Sequence, residues 1–169
     1  MNWTVIALNF DTNTAYLCEV TTHIRGLLYK NNQETGQLNL KWNGIYASNS
    51  DLDNFLDNKS GENWSATQTV PPENVRIDSV TDQSITLLWV AIEYPNDTGR
   101  YRVWYSNTQG GPYSDCGTTS SKSTTSLKVT RLSPATKYYF VVRTETDNHA
   151  NNQNSIVSDP SEEVSATTQ

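Results

Sequence analysis

The chain has 169 residues and a formal charge of −6, with 35% hydrophobic and only 18% charged residues. Its charges are sparse and mixed in sign, which excludes a nucleic-acid groove, because phosphate binding needs clustered Lys and Arg. Helix formers are scarce beside Thr, Ser, Asn, Tyr, Val and Trp, so the composition predicts a strand-and-turn protein of one or two domains.

The N-terminal stretch "MNWTVIALNF" has no positive n-region, no small-residue cleavage site and only a short apolar run, so it does not read as a signal peptide. No segment is apolar for long enough to span a membrane as a helix. In "TVIALNF", Ile6, Leu8 and Phe10 alternate with Val5 and Ala7, the two-residue period of a strand. The turn "DTNT" follows, then "AYLCEV" as a second strand pairing back on the first, and "HIRGLLYK" as a third. Asn43-Gly44 between the alternating runs of "LNLKWNGIYAS" is a strong hairpin signal, with Leu38, Leu40 and Trp42 on one face.

The period then changes. Ser50 and Asp53 form a capping box, and Leu52, Phe55 and Leu56 recur at helical spacing before Gly61. One short helix is expected here. Asp51, Asp53, Asp57 and Glu62 fall at the spacing of a calcium loop, but Leu56 stands where the sharp-turn glycine should be and Phe55 where a ligand should be. An amphipathic helix with a solvated acidic face explains the pattern better, and no metal is expected.

Pro71-Pro72 lack amide donors and mark a boundary between a domain of residues 1–70 and a second of residues 71–169. The first is small enough that its own core is marginal, so it is expected to lean on a neighbour. Beyond the prolines, turns recur every 8–12 residues between strand-like runs, which predicts seven strands in a sandwich. Ile85, Leu87 and Trp89 share a face in "SITLLWV"; Tyr101, Val103 and Tyr105 do so in "RYRVWYS", and Leu127 and Val129 in "TSLKVT".

"LSPATKYYFVV", Leu132 to Val142, joins a Pro-marked turn to two tyrosines and an alternating strand. Together with Pro71-Pro72, Trp89, the Tyr101/Val103/Tyr105 alternation and the closing run "SDPSEEVSATT", it resembles a fibronectin type III domain over residues 71–169. The resemblance implies that Tyr138 is the corner residue, hydrogen-bonded back to upstream backbone, with Phe140 and Val142 in the core and Tyr139 outward. The fold class expected is therefore mainly β: a small N-terminal β-rich domain with one short helix, followed by a seven-stranded sandwich. Residues 1–70 resemble no family. The resemblance is nearly silent on function, since such domains serve as spacers, adhesion modules and receptor parts alike.

Catalytic constellations are lacking. His23 and His149 fall in different domains, and no Ser, Cys or carboxylate is spaced to complete a nucleophilic triad, so neither enzyme activity nor a cofactor is expected. Cys18 and Cys116 are far apart, outside any metal-ligand spacing, and read as two free thiols more readily than as a disulfide. Arg25-Gly26 continues to Leu27, which removes Arg-Gly-Asp adhesion; the polar loop "DNHANNQNS" reads as solvated more readily than as a contact to a partner or a sugar. The sequons at Asn2, Asn58, Asn63 and Asn96 occur at the frequency that so much Asn, Ser and Thr gives by chance.

The binding candidates are Arg102, Trp104, Tyr139 and Arg143. If Tyr101, Val103 and Tyr105 face inward, these four face outward on two neighbouring strands, as one aromatic strip with arginine edges. Such a strip suits weak stacking on a glycan or docking of a protein partner; the competing reading is that arginine stems, or the first domain, cover it. The sequence thus points to a non-enzymatic structural or adhesion protein of an extracellular assembly. A bacteriophage virion is favoured, with residues 1–70 bound to other subunits and the sandwich displayed at the surface. Three features motivate that expectation: a surface-type fold behind Met1 without an export signal, a small domain in need of a partner, and a last strand that ends the chain. The alternative is a piece of a secreted or cell-surface bacterial enzyme or adhesin with the sandwich as a spacer or carbohydrate-contacting module, an idea prompted by the echo between "WSATQT" and "VSATTQ". Neither reading involves nucleic acid or membrane insertion.

Overall fold

The computed structural model describes residues 16–17, 20–21, 23–24, 27–28, 41, 44, 57, 64–150 and 155–169. It divides the chain into two compact units, Met1–Gln68 and Thr69–Gln169. In the first, β1 (Tyr16–Leu17) pairs antiparallel with β4 (Leu27–Leu28), and β2 (Val20–Thr21) with β3 (His23–Ile24). The second and third strand segments expected from the sequence therefore contribute to one another's pairing. Asp57 is helical, within the expected helix. The first expected strand, the arms of the Asn43-Gly44 hairpin apart from Lys41 (which is in a turn), the cap at Ser50 and Asp53, Asp51, Glu62 and Cys18 lie outside the described residues. A short 3-10 turn, Ser65–Thr67, closes the unit, with the Gln68 side chain donating to the Trp64 carbonyl at 2.8 Å.

The second unit is two antiparallel sheets. β5 (Glu73–Val80), β6 (Ser84–Val90) and β9 (Ser126–Thr130) form the first, in the order β5-β6-β9. The second runs β8 (Ser114–Thr118), β7 (Gly99–Ser106), β10 (Lys137–Thr146), with β11 (Ile156–Val157) and β12 (Val164–Thr167) both on the far edge of β10. The core lies between the sheets because each strand's inward alternation is apolar. Ile85, Leu87, Trp89, Tyr101, Val103, Val129, Phe140 and Val142 are all buried, with Tyr105 and Leu127 packed against them at partial burial. The Trp89 and Tyr101 rings meet edge to face at 5.3 Å.

Two tyrosines pin backbone at the turns. The Ser133 amide donates to the Tyr138 hydroxyl at 2.9 Å, which is the corner expected of Leu132–Tyr138. The Ile92 amide donates to the Tyr101 hydroxyl, also at 2.9 Å, tying the turn after β6 to the core. Burial raises the Tyr101 pKa, so this phenol stays neutral.

The closing run expected over "SDPSEEVSATT" is strand only at β12, and a further short strand, β11, precedes it, with Asp159-Pro160 between the two. A proline cannot donate to a ladder, and serine hydroxyls take over where regular pairing stops. The Thr144 amide donates to Ser158 Oγ and the Val142 amide to Ser161 Oγ, each at 3.0 Å. The Ser158 and Ser161 amides return bonds to the Thr144 and Val142 carbonyls, each at 2.9 Å. The edge of β10 stays satisfied across the break.

Candidate functional site

Arg102 and Trp104 project from β7, and Tyr139 and Arg143 from β10, on the face opposite the core residues Tyr101, Val103, Phe140 and Val142. The register sets Arg102 opposite Arg143, Trp104 opposite Val141, and Tyr139 opposite Ser106. Trp104 and Tyr139 are thus offset by one pair along the strip, diagonal neighbours on one face.

The arginines are held by carboxylates and backbone. Arg102 contacts Glu145 through Nε and Asp115 through Nη1, and both charges raise its pKa further, with the Glu145 bond the largest cause. Arg143 Nη1 donates to the Ser158 carbonyl at 3.0 Å. Arg100 extends the row, with Nη2 at 2.6 Å from Asp147 Oδ1. Lys137 Nζ lies 5.0 Å from the Tyr139 ring centroid, a cation–π contact. Glu145, Asp115 and Asp147 were not among the candidates, because only cross-strand register reveals which acids face which arginines.

The middle of the strip is more enclosed than alternation suggests. Val141 faces outward yet is only 4% exposed, and the Trp104 indole nitrogen is buried without a hydrogen-bond partner. Tyr113, two residues before Asp115, and Glu163, just before the Phe140 partner Val164, belong to the same outer face at its two opposite edges. The Tyr113 hydroxyl donates to Glu163 Oε2, and the Gly110 amide donates to the same oxygen at 2.9 Å. With β7 and β10 lying between β8 and β12, this bond straps across the strip. Burial and the Glu163 carboxylate push the Tyr113 phenol up to about 12.

Cys116 is a free thiol whose Sγ lies 3.3 Å from the Val103 carbonyl, and burial pushes its pKa up to about 12. Such a thiol is unreactive at neutral pH. Among the described residues no group of three or more His, Cys, Asp and Glu is placed to hold a metal ion, and no helix is long and apolar enough to cross a membrane.

Facing sheets of three and five strands, a tyrosine corner and a tryptophan in the core define a β-sandwich module. The fibronectin type III domain model matches residues 70–161, and the chain belongs to that family. Among solved structures it is similar to an Fn3-like protein from Clostridium thermocellum, at 26% identity over 60% of this chain and 92% of that one, with a TM-score of 0.45. It is also similar to chicken CNTN1 FN1-FN3 domains, at 18% identity over 60% of this chain and 32% of that one, TM-score 0.48. A third is the titin fragment A168-A170, at 24% identity over 57% of this chain, TM-score 0.42, where the match spans 31% of the fragment. No curated protein matches the chain. Domains of this family are typical of adhesion and structural proteins outside cells, and they commonly mediate protein–protein interactions.

Proposed function

We propose that this chain is a non-enzymatic structural or adhesion component of an extracellular assembly, in which Met1–Gln68 anchors and the fibronectin type III unit is displayed. The observation that carries the reading is the division of the chain into a family-typed sandwich and a separate small unit. A unit of that small size buries little surface by itself, which favours attachment to other subunits. Within this class, the assembly proposed is a bacteriophage particle, where many copies turn a weak contact into useful avidity.

The contact surface proposed on the sandwich is the part of the strip left open beside the Tyr113–Glu163 strap, formed by the half-buried Trp104 and Tyr139 rings with Arg102 and Arg143. Its support is physical: the carboxylate-held guanidinium of Arg102 and the tethered one of Arg143 present fixed planes beside two aromatic rings, which lowers the entropy lost on binding. Antibody labelling of particles from the source culture tests the first part. Label on particles bears the reading out, and protein found only free in the medium or on cells overturns it. For the strip, multivalent protein is tested against glycans and against purified particle subunits. Binding lost in Trp104→Ala supports it, whereas undiminished binding moves the contact surface elsewhere.

A further inference from the structure

Lys122 is the one lysine in the described core, 1% exposed, and neither the strip nor the anchoring reading uses it. It sits in the loop between β8 and β9, and its ammonium contacts Asp97 in the loop between β6 and β7, whose side chain is 11% exposed. Oδ1 of Asp97 is buried and makes no hydrogen bond of ordinary geometry, although Lys122 Nζ is against it. Nζ donates to Thr146 Oγ1 at 3.0 Å, which in turn lies 2.7 Å from Thr69 Oγ1. His149 Nε2 stands 3.7 Å from the other carboxylate oxygen, Oδ2. Asp147, paired with Arg100, also acts on the Lys122 ammonium.

Both loops are fixed independently of this contact. The Asp147 amide donates to the Thr98 carbonyl at 3.0 Å, next to Asp97. Thr119 binds the Tyr101 backbone on both sides and, through its hydroxyl, the Ser121 carbonyl, next to Lys122. Amine and carboxyl are therefore held together by the fold, the arrangement that lets a slow bimolecular condensation proceed within one molecule.

We infer that Lys122 and Asp97 condense into an intramolecular isopeptide bond, which staples the loop after β6 to the loop after β8. Burial supports it by favouring the neutral amine and carboxylic acid over the ion pair; it pushes the Lys122 ammonium down to about 8, against an opposing pull from Asp147. The step begins with proton transfer from Lys122 Nζ to the Asp97 carboxylate, leaving an amine and a carboxylic acid. The amine attacks Cγ, the Nζ–Cγ bond forms, and the Cγ–Oδ2 bond breaks. Oδ2 leaves as water with the carboxyl proton and one amine proton, and no other reactant is consumed. His149, facing Oδ2, is positioned to carry the proton to the leaving oxygen, and Thr146 orients Nζ.

The test is the intact mass of the purified full-length chain under denaturing, reducing conditions, followed by peptide mapping. The wild type is expected to be one water lighter than its sequence, with a branched peptide joining Lys122 to Asp97. Lys122→Arg keeps the charge but cannot form the amide, and its mass should equal its sequence. A wild-type mass equal to the sequence overturns the inference. So does a water loss that persists in Lys122→Arg, since that dehydration, such as a cyclic imide at an aspartate, would not involve the lysine. The wild-type mass is read directly, so the test stands even if a variant folds poorly.

Discussion

At the scale of single residues, two phenols pin backbone at the turns of the sandwich and one partly buried thiol packs against its core. Tyr138 and Tyr101 each accept one backbone amide, from Ser133 and Ile92. Removing either hydroxyl leaves an amide unpaired, which costs roughly 1–3 kcal/mol when that group stays buried. Chemical denaturation of Tyr138→Phe and Tyr101→Phe should show losses in that range. The larger is expected for Tyr101, because its Ile92 bond is fully buried while the Ser133 bond is part-buried. A thiol pushed up to about 12 holds almost no thiolate near neutrality. Cys116 in a Cys18→Ser background should therefore resist a thiol reagent at pH 8 in native protein and react promptly once denaturant is added.

At the scale of elements, the strap over the β7–β10 face and the start of β7 are the informative places. Glu163 accepts from the Tyr113 hydroxyl only while that phenol keeps its proton. Its folded pKa, about 12, lies above the ordinary 10.0, so the folded state holds the proton more tightly. The strap's stabilisation is then fully present below pH 10.0 and is lost as pH rises toward about 12. Denaturation midpoints of wild type and Tyr113→Phe, measured from pH 8 upward, should converge over that interval, and a constant difference would contradict the assignment. At the start of β7, Gly99 has φ +151°, and a Cβ there would lie 2.1 Å from the Glu145 carbonyl oxygen. Gly99→Ala must push β7 away from β10 at the Gly99–Thr146 end, and overpacking of this kind costs ~1–3 kcal/mol. A melt unchanged by that substitution would mean the strand end gives way freely.

At the scale of the whole molecule, the two units should differ in independence. Thr69–Gln169 contains both sheets, the corner and the core, and a fragment of those residues should unfold in one cooperative transition. Residues 1–70 expressed alone should show little cooperative melting, since a domain so small buries too little surface. A sharp, concentration-independent melt of that piece would argue against its need for a partner.

The sequence by itself determined the sandwich, its core and its corner. Period-two alternation assigns faces without knowledge of neighbours, which is why Ile85, Leu87, Trp89, Tyr101 and Val103 were legible as inward residues, while the family resemblance put Phe140 and Val142 in the core and Tyr138 at the corner. The same alternation set Arg102, Trp104, Tyr139 and Arg143 outward, but it carries no information about what lies across a strand or above a face. Cross-strand register decided that Arg102 meets Glu145 and Asp115, that Trp104 faces Val141, and that Tyr113 reaches Glu163 over them. Tertiary structure also decided the fate of Lys122, which reads as an ordinary loop lysine among serines and threonines. Burial is a property of packed loops, and only the closure of the sandwich brings residues 97, 122, 146 and 149 to one place.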